Sequence, residues 1–322
     1  MSDNRRCLVA DIGGSNARFA IARREAGGVA LDHMVAMRGA DHADLVAAIE
    51  HYLLTTGEKC PPAAAIAIAG PVVGDRAEIT NHTAWSFAIE ATRRRLGLVR
   101  LAALNDFTAI ALSLPHLRAG DLRQIGSGAA TAGAPIGVIG PGTGLGMSGV
   151  VRTATGWAAI EGEGGHATFA PMSERESDIA DLLRGRFGHV SWERVLSGPG
   201  LVNLYAAIAQ LDGHDAEPLS PEAIDERGRG GACALCREAL EIFCAALGTA
   251  AGSLALTLGA CGGVFIGGGI VPQLESFFDR SAFRARFESK GRLSDYVRPI
   301  PTFVITAANP GLIGAAMALS GS

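Results

Sequence analysis

Cys7-Leu8-Val9-Ala10-Asp11-Ile12-Gly13-Gly14-Ser15-Asn16-Ala17-Arg18-Phe19-Ala20-Ile21-Ala22 begins apolar, breaks at a glycine turn carrying a carboxylate and a hydroxyl, and becomes apolar again. The pattern is strand, turn, strand. Glycine amides approach phosphate oxygens with no side chain in the way, and a carboxylate beside them can hold a hydrated magnesium ion. The stretch therefore reads as a hairpin that grips a nucleotide phosphate. A related element follows at Ile139-Gly140-Pro141-Gly142-Thr143-Gly144-Leu145-Gly146-Met147-Ser148, and a third glycine turn at Ile266-Gly267-Gly268-Gly269-Ile270. A single glycine turn is an ordinary tight hairpin. Their recurrence points to a duplicated fold with nucleotide held between its halves.

Two commoner nucleotide motifs do not fit. A P-loop needs lysine followed by Ser or Thr after its last glycine, and a dinucleotide fingerprint needs a helix there, whereas a strand follows each of the two hairpin turns. Lysine is almost absent, at Lys59 and Lys290 only. Bound phosphate would have to be met by backbone amides, arginine and a metal ion.

With 322 residues, 48% hydrophobic and 19% charged, the chain is long enough for one to three ordinary folded domains. A net charge of −4, with no basic run beyond Arg93-Arg94-Arg95, points to a small-molecule partner rather than nucleic acid. The six cysteines lack the spacing of a secreted disulfide scaffold and read as reduced thiols of a cytoplasmic protein. Cys233-Ala234-Leu235-Cys236 has zinc spacing but no second Cys or His pair close by, so helix thiols are expected. Residues 242–261 form an uncharged run containing Gly248 and Gly252. Its Ala, Gly, Ser and Thr content predicts a buried helix packed closely on a neighbour, not a membrane span. The charged start of the chain, with only a short apolar run behind it, is not a convincing signal peptide.

Hydrophobic patterning predicts strands at 7–10, 19–22, 64–69, 101–104, 136–139, 147–151, 264–266 and 302–305. Helices are predicted at 41–56, capped by Asp41 and stopped at Gly57, and at 107–114, 177–186, 199–210, 236–259 and 310–319. The class is α/β with hairpins mixed in.

Three further segments carry chemistry. Asn105-Asp106 closes a predicted strand at the mouth of a helix, where Asp106 reads equally as an N-cap or as an acceptor for a substrate hydroxyl proton. Glu161-Gly162-Glu163-Gly164-Gly165-His166 sets carboxylates and an imidazole in a glycine loop suited to sugar hydroxyls, or to a solvated turn. Glu193 alone reads equally as an exposed acid in a first helical turn.

Taken together these segments resemble the bacterial glucokinase family, the hexokinase-like branch of the actin and sugar-kinase superfamily. The resemblance runs nearly the whole chain, through Asp11-Ile12-Gly13-Gly14, Asn81-His82-Thr83, Asn105-Asp106-Phe107-Thr108-Ala109, Gly140-Pro141-Gly142-Thr143-Gly144-Leu145-Gly146, Glu163-Gly164-Gly165-His166, Glu193-Arg194-Val195-Leu196-Ser197-Gly198 and Gly267-Gly268-Gly269. It implies two ribonuclease H-like α/β domains around a central cleft, a small one of 1–115 with 307–322 and a large one of 116–306. It further implies ATP-dependent phosphorylation of glucose at its 6-hydroxyl, domain closure that excludes water, and a cytoplasmic homodimer with no membrane or nucleic-acid partner.

By that resemblance Asp106 is the catalytic base, and Asn105, Glu163, His166 and Glu193 bind the other sugar hydroxyls. Asp11 serves Mg2+ through water. Amides around Gly13, Gly14, Ser15 and Asn16, and around Gly142, Thr143 and Gly144, hold the phosphates of ATP, while Gly267, Gly268 and Gly269 approach the adenosine. The chain departs from the family in having Ser15 where threonine is common, and Ala84-Trp85 where relatives place tryptophan directly after the Asn-His-Thr run. No cysteine-rich zinc motif of the related ROK branch follows His166. Competing readings are a kinase of another hexose or amino sugar, a catalytically silent sugar sensor, and a glycosidase using Glu163 and Glu193, which leaves the glycine turns unexplained.

Overall fold

A computed structural model of the chain describes residues 6–14, 16–25, 28–80 and 83–319. In chain order the strands are β1 (Arg6–Ile12), β2 (Asn16–Glu25), β3 (Gly28–Arg38), β4 (Ala63–Ile68), β5 (Val72–Val73), β6 (Arg76–Ala77), β7 (Phe87–Ala88), β8 (Arg100–Asn105), β9 (Leu122–Ile125), β10 (Ile136–Pro141), β11 (Leu145–Thr153), β12 (Gly156–Ile160), β13 (Val264–Ile266) and β14 (Thr302–Ile305). The helices are α1 (Leu45–Thr56), α2 (Ile89–Arg95), α3 (Asp106–Ser113), α4 (Glu174–Phe187), α5 (Gly198–Leu211), α6 (Pro221–Arg229), α7 (Ala234–Leu258), α8 (Ile270–Asp279), α9 (Phe283–Glu288), α10 (Ser294–Val297) and α11 (Pro310–Ala318). The chain divides into two compact units, one of Met1–Ala119, Arg152–Ile160 and Ala307–Ser322, the other of Gly120–Val151 and Glu161–Thr306. Arg152–Ile160, which lies inside the span 116–306, thus clusters with the first unit.

In the first unit the sheet order is β3-β2-β1-β4-β8. β1, β2 and β3 are antiparallel, while β1, β4 and β8 run parallel. Alternation along β1 decides which side each residue meets. Leu8, Ala10 and Ile12 share a core with Leu45, Ile49 and Tyr52 of α1, whereas Cys7 and Val9 pack with Leu312 and Ala315 of α11. By the same period Asp11 falls on the α11 side. There α11 lies hard against α3, because a Cβ added at Gly314 would sit 1.6 Å from the carbonyl oxygen of Ala109.

The second unit carries a similar plan. Its strands β11, β10, β13, β14 and β9 are neighbours in that order, with β10–β11 an antiparallel hairpin and β10, β13 and β14 parallel. The antiparallel β9 closes the edge. The long helix α7 matches the predicted buried helix: Phe243, Cys244, Leu247, Ala250 and Ala251 belong to the core of this unit. Its two spaced glycines are explained by α9. A Cβ at Gly248 would lie 2.1 Å from the Phe283 carbonyl oxygen, and one at Gly252 would lie 2.4 Å from that of Phe287.

The start of α1 differs from expectation. Asp41 ends a short 3-10 turn, Gly39–Asp41, and the helix begins at Leu45 with Asp44 as its cap. Asp44 Oδ1 accepts the Ala47 N–H at 2.7 Å, and its other oxygen pairs with Arg95. The C-terminal stop is as predicted, with Gly57 in the left-handed region at φ 68°. Asp44→Ala should lower stability by about 1 kcal/mol in denaturant unfolding, and Asp41→Ala should leave it unchanged. Equal effects of the two would return the cap to Asp41.

Candidate functional site

The parallel register in the first unit gathers its candidate residues on one edge. Ile12 lies opposite Ile68 on β4, and Ile68 lies opposite Asn105 on β8. The glycine turn after β1 and the Asn105-Asp106 pair at the end of β8 therefore both lie at the carboxyl ends of parallel strands, on either side of β4. In open α/β sheets that edge is where ligands bind. The turn is closed by Gly13, whose N–H donates to the Asn16 carbonyl at 2.9 Å, and Gly14 follows it. Ser15, together with Asn81 and His82, lies outside the described residues.

Asp11 sits opposite Arg18 in the β1–β2 register, with a guanidinium nitrogen 3.8 Å from its carboxylate. A Cβ at Gly311, in the first turn of α11, would be 3.0 Å from Asp11 Oδ2, so the carboxylate lies against that helix start. Burial pushes the Asp11 carboxyl pKa upward, and the charge of Arg18 opposes the shift. A buried carboxylate beside a glycine turn, with its guanidinium neighbour 3.8 Å away, fits a hydrated divalent cation.

The two readings of Asp106 separate here. Asn105 is the cap of α3: its Oδ1 accepts from the N–H of Phe107 at 2.9 Å and of Thr108 at 3.3 Å. Its amide nitrogen donates to the Gly70 carbonyl oxygen at 3.3 Å. Asp106 is the first residue inside the helix, half-buried, with Oδ1 accepting the Phe107 N–H at 2.8 Å. The capping role that sequence reasoning offered Asp106 belongs to its neighbour.

In the second unit the β10–β11 turn is closed by the Gly142 N–H donating to the Gly144 carbonyl at 2.8 Å. Two outside partners fix it further. The Gly198 N–H at the start of α5 donates to the Gly142 carbonyl at 2.8 Å, and Glu193 Oε2 accepts the Leu145 N–H at 2.9 Å. That carboxylate oxygen would lie 2.6 Å from a Cβ at Gly144, so only glycine at 144 leaves room for it. Glu193 stands in a 3-10 turn, Trp192–Arg194, ahead of α5 rather than in its first turn.

Glu163 is the N-cap and His166 the last residue of a one-turn 3-10 element, Gly164–His166, where a loop was predicted. Both side chains are exposed, and the His166 N–H donates to the Glu163 carbonyl at 3.0 Å. Gly165 is buried under the hairpin, 2.0 Å from the Leu145 carbonyl oxygen at its Cβ position. Trp192 N–H donates to the Ala167 carbonyl at 2.9 Å, and Phe169 meets the Trp192 ring edge-on at 5.2 Å. These contacts bring Glu163, His166 and Glu193 onto one wall beside the turn of Gly142, Thr143 and Gly144.

The third glycine turn lies on the other side of that hairpin. Ile266 pairs with Ile139, Gly267 N–H donates to the Ile139 carbonyl at 2.9 Å, and Gly268 at φ 78° packs beneath Pro141. A cavity of about 330 Å³ opens here, lined by Gly142, Thr143, Pro199, Asp225, Gly269 and Gln273 among others. Sequence reasoning missed α6, which supplies Pro221 and Asp225 to the cavity wall. The signal was Ser220-Pro221, a cap followed by proline at the first helical position, with Ser220 Oγ accepting the Ala223 N–H at 3.2 Å. Nothing in the sequence announced the Arg18–Asp11 pair or the Glu193 bond to Leu145.

Comparison with known proteins gives the family and the fold. The profile of the glucokinase family matches residues 8–322. A glucokinase of Aromatoleum aromaticum is 53% identical over 319 residues, covering 99% of this chain and 96% of that protein. The crystal structure of a glucokinase from an Antarctic psychrotroph superposes with a TM-score of 0.91 at 38% identity, covering 99% of each chain. A ROK family glucokinase from Streptomyces griseus, solved in complex with glucose and AMPPNP, shares the fold at a TM-score of 0.63 and 21% identity over 97% of this chain and 98% of its own. With two mixed sheets in two units, the glycine hairpins in sequence order and full-length identity at this level, the chain belongs to the glucokinase family, transferases that phosphorylate glucose.

Proposed function

We propose that this protein transfers the γ-phosphoryl group of ATP to the 6-hydroxyl of glucose, with Asp106 as general base. Asp106 takes the hydroxyl proton as the oxygen attacks the γ-phosphorus in line, and ADP leaves on the opposite side. The observation that carries the reading is the edge shared by the β1–β2 glycine turn and Asn105-Asp106, with capping assigned to Asn105. A phosphate-type turn and a half-buried carboxylate not used as the cap meet the needs of phosphoryl transfer to a hydroxyl.

The other roles follow residue by residue. Asn105 has a second amide N–H to offer a sugar hydroxyl beyond the one given to Gly70. Glu163, His166 and Glu193 supply acceptors and an imidazole for the remaining hydroxyls, with Glu193 Oε2 already anchored by Leu145. Asp11 would hold Mg2+ through water, and the ion would supply positive charge against the phosphates. Amides of Gly13, Gly14, Ser15 and Asn16, and of Gly142, Thr143 and Gly144, receive phosphate oxygens. The 330 Å³ cavity beside Gly267, Gly268 and Gly269 is of a size to take the nucleoside. The protein is read as a cytoplasmic homodimer, a state that sedimentation of the purified chain checks.

Purified protein with magnesium and ATP should release ADP when glucose is added and show little release without it. A panel of glucose, mannose, fructose and glucosamine at matched concentration reads the sugar preference. No rate above the sugar-free control would sink the assignment, and a faster rate on another hexose would move it to that sugar.

A further inference from the structure

Two cysteines that phosphoryl transfer does not use open the long helix α7. Cys233 is the N-cap, half-buried, with its Sγ accepting the Cys236 N–H at 3.3 Å. Cys236 is the third helical residue and is buried. Burial, then its hydrogen bond to Cys233, pushes the Cys236 thiol up to about 12. An N-cap side chain folds back over the third helical residue, so side-chain rotation with a small backbone adjustment at position 236 can join the two sulfurs. The groups around them are Arg227, whose carbonyl accepts the Cys233 N–H at 3.3 Å, Glu217, which pairs with the Arg227 guanidinium at 2.8 Å, and Tyr205, whose hydroxyl accepts the Glu217 N–H. Among the described residues no group of three or more His, Cys, Asp or Glu side chains is arranged to hold a metal ion. Cys233 and Cys236 are free thiols, one half-buried and one buried, in the Cys-X-X-Cys spacing that dithiol–disulfide couples use.

We propose that Cys233 and Cys236 form a reversible dithiol–disulfide pair whose closure is transmitted through α6 to the wall of the 330 Å³ cavity. The co-reactant is a low-molecular-weight disulfide. Cys233, as thiolate, attacks one of its sulfurs, forming a mixed disulfide and expelling one small thiolate. Cys236 then loses its proton and attacks Cys233 Sγ, the intramolecular bond forms, and the second small thiolate leaves. Two electrons pass from the protein dithiol to the small disulfide, whose two thiolates take up the two protons.

Contact between α6 and α7 leaves no slack for this movement. A Cβ at Gly228 would lie 2.9 Å from the Cys236 carbonyl oxygen and 2.7 Å from Leu240 Cδ1. Backbone drawn toward Cys233 at position 236 presses on Gly228, and α6 carries Pro221 and Asp225 at the cavity. The effect on catalysis rests on the reading of that cavity as the nucleoside site.

The test is treatment of the purified full chain with oxidised glutathione, then alkylation and tryptic mapping. The peptide 230–237 contains both cysteines and no other. It should become two hydrogens lighter, refuse alkylation, and recover both thiols in dithiothreitol. Cys236→Ser should trap glutathione on Cys233, whereas Cys233→Ser should leave Cys236 unmodified. Oxidised wild type should show a KM for ATP raised about threefold or more with KM for glucose unchanged, and the double serine variant should not respond. A peptide that keeps two alkylatable thiols overturns the pair. Closure without a change in KM for ATP overturns its link to the cavity. Because mapping needs no turnover, failure of the kinase reading would not be mistaken for failure of the disulfide.

Discussion

Asp106→Asn is expected to lower kcat by about 10²–10⁴-fold while glucose binding stays within about threefold of wild type. The asymmetry follows from what the substitution keeps. Asparagine retains the Oδ1 that accepts the Phe107 N–H, and the cap of α3 is Asn105, so the helix start survives. What it removes is the capacity to take a proton at the moment the 6-oxygen attacks phosphorus. Isothermal titration with glucose, run beside steady-state kinetics, separates the two effects. If turnover stays near normal, Asp106 is a structural residue of the helix start and the base lies elsewhere.

Gly268→Ala should be the most damaging of the glycine substitutions around the cavity, lowering stability by about 2–5 kcal/mol and weakening ATP binding strongly. Gly268 adopts φ 78°, which an L side chain tolerates poorly, and its added Cβ would sit 2.2 Å from the Pro141 carbonyl oxygen and 2.8 Å from that carbonyl carbon. Both neighbours are backbone, so neither can swing away. Pro141 ends β10 and leads into the turn of Gly142, Thr143 and Gly144, so relief of the clash must move the turn proposed to hold phosphate. Gly269→Ala provides the control, since nothing lies within 4 Å of its added Cβ and its φ is ordinary for any residue. Equal thermal stability and equal ATP affinity in the two variants would contradict the packing argument.

The legible parts of the fold were those where burial forces a pattern. β13 and β14 have the predicted limits because all three β13 residues are buried, as are three of four in β14, and each reads as a short apolar run. β3 was missed for the opposite reason. It is an edge strand with no buried residue, interrupted by His33 at φ 53° and a register shift opposite Phe19 and Ile21, so nothing constrains its sequence to alternate. The predicted start of α1 is Asp41, but Asp44 can cap equally well by residue type, and only the bond to Ala47 identifies it. At the site, the glycine turns and the Asn105-Asp106 pair were visible as strand ends. Which of those two residues caps the helix depends on backbone geometry rather than residue type. The Glu193–Leu145 bond joins residues 48 positions apart, beyond the reach of local pattern.

The most direct test of the central claim is identification of the product formed from ATP and glucose, by phosphorus and proton nuclear magnetic resonance on the unfractionated reaction. The prediction is one equivalent of ADP per phosphomonoester, with the phosphorus coupled to the C6 protons of glucose. ADP formed without sugar ester, or a phosphate on any other glucose oxygen, would contradict it.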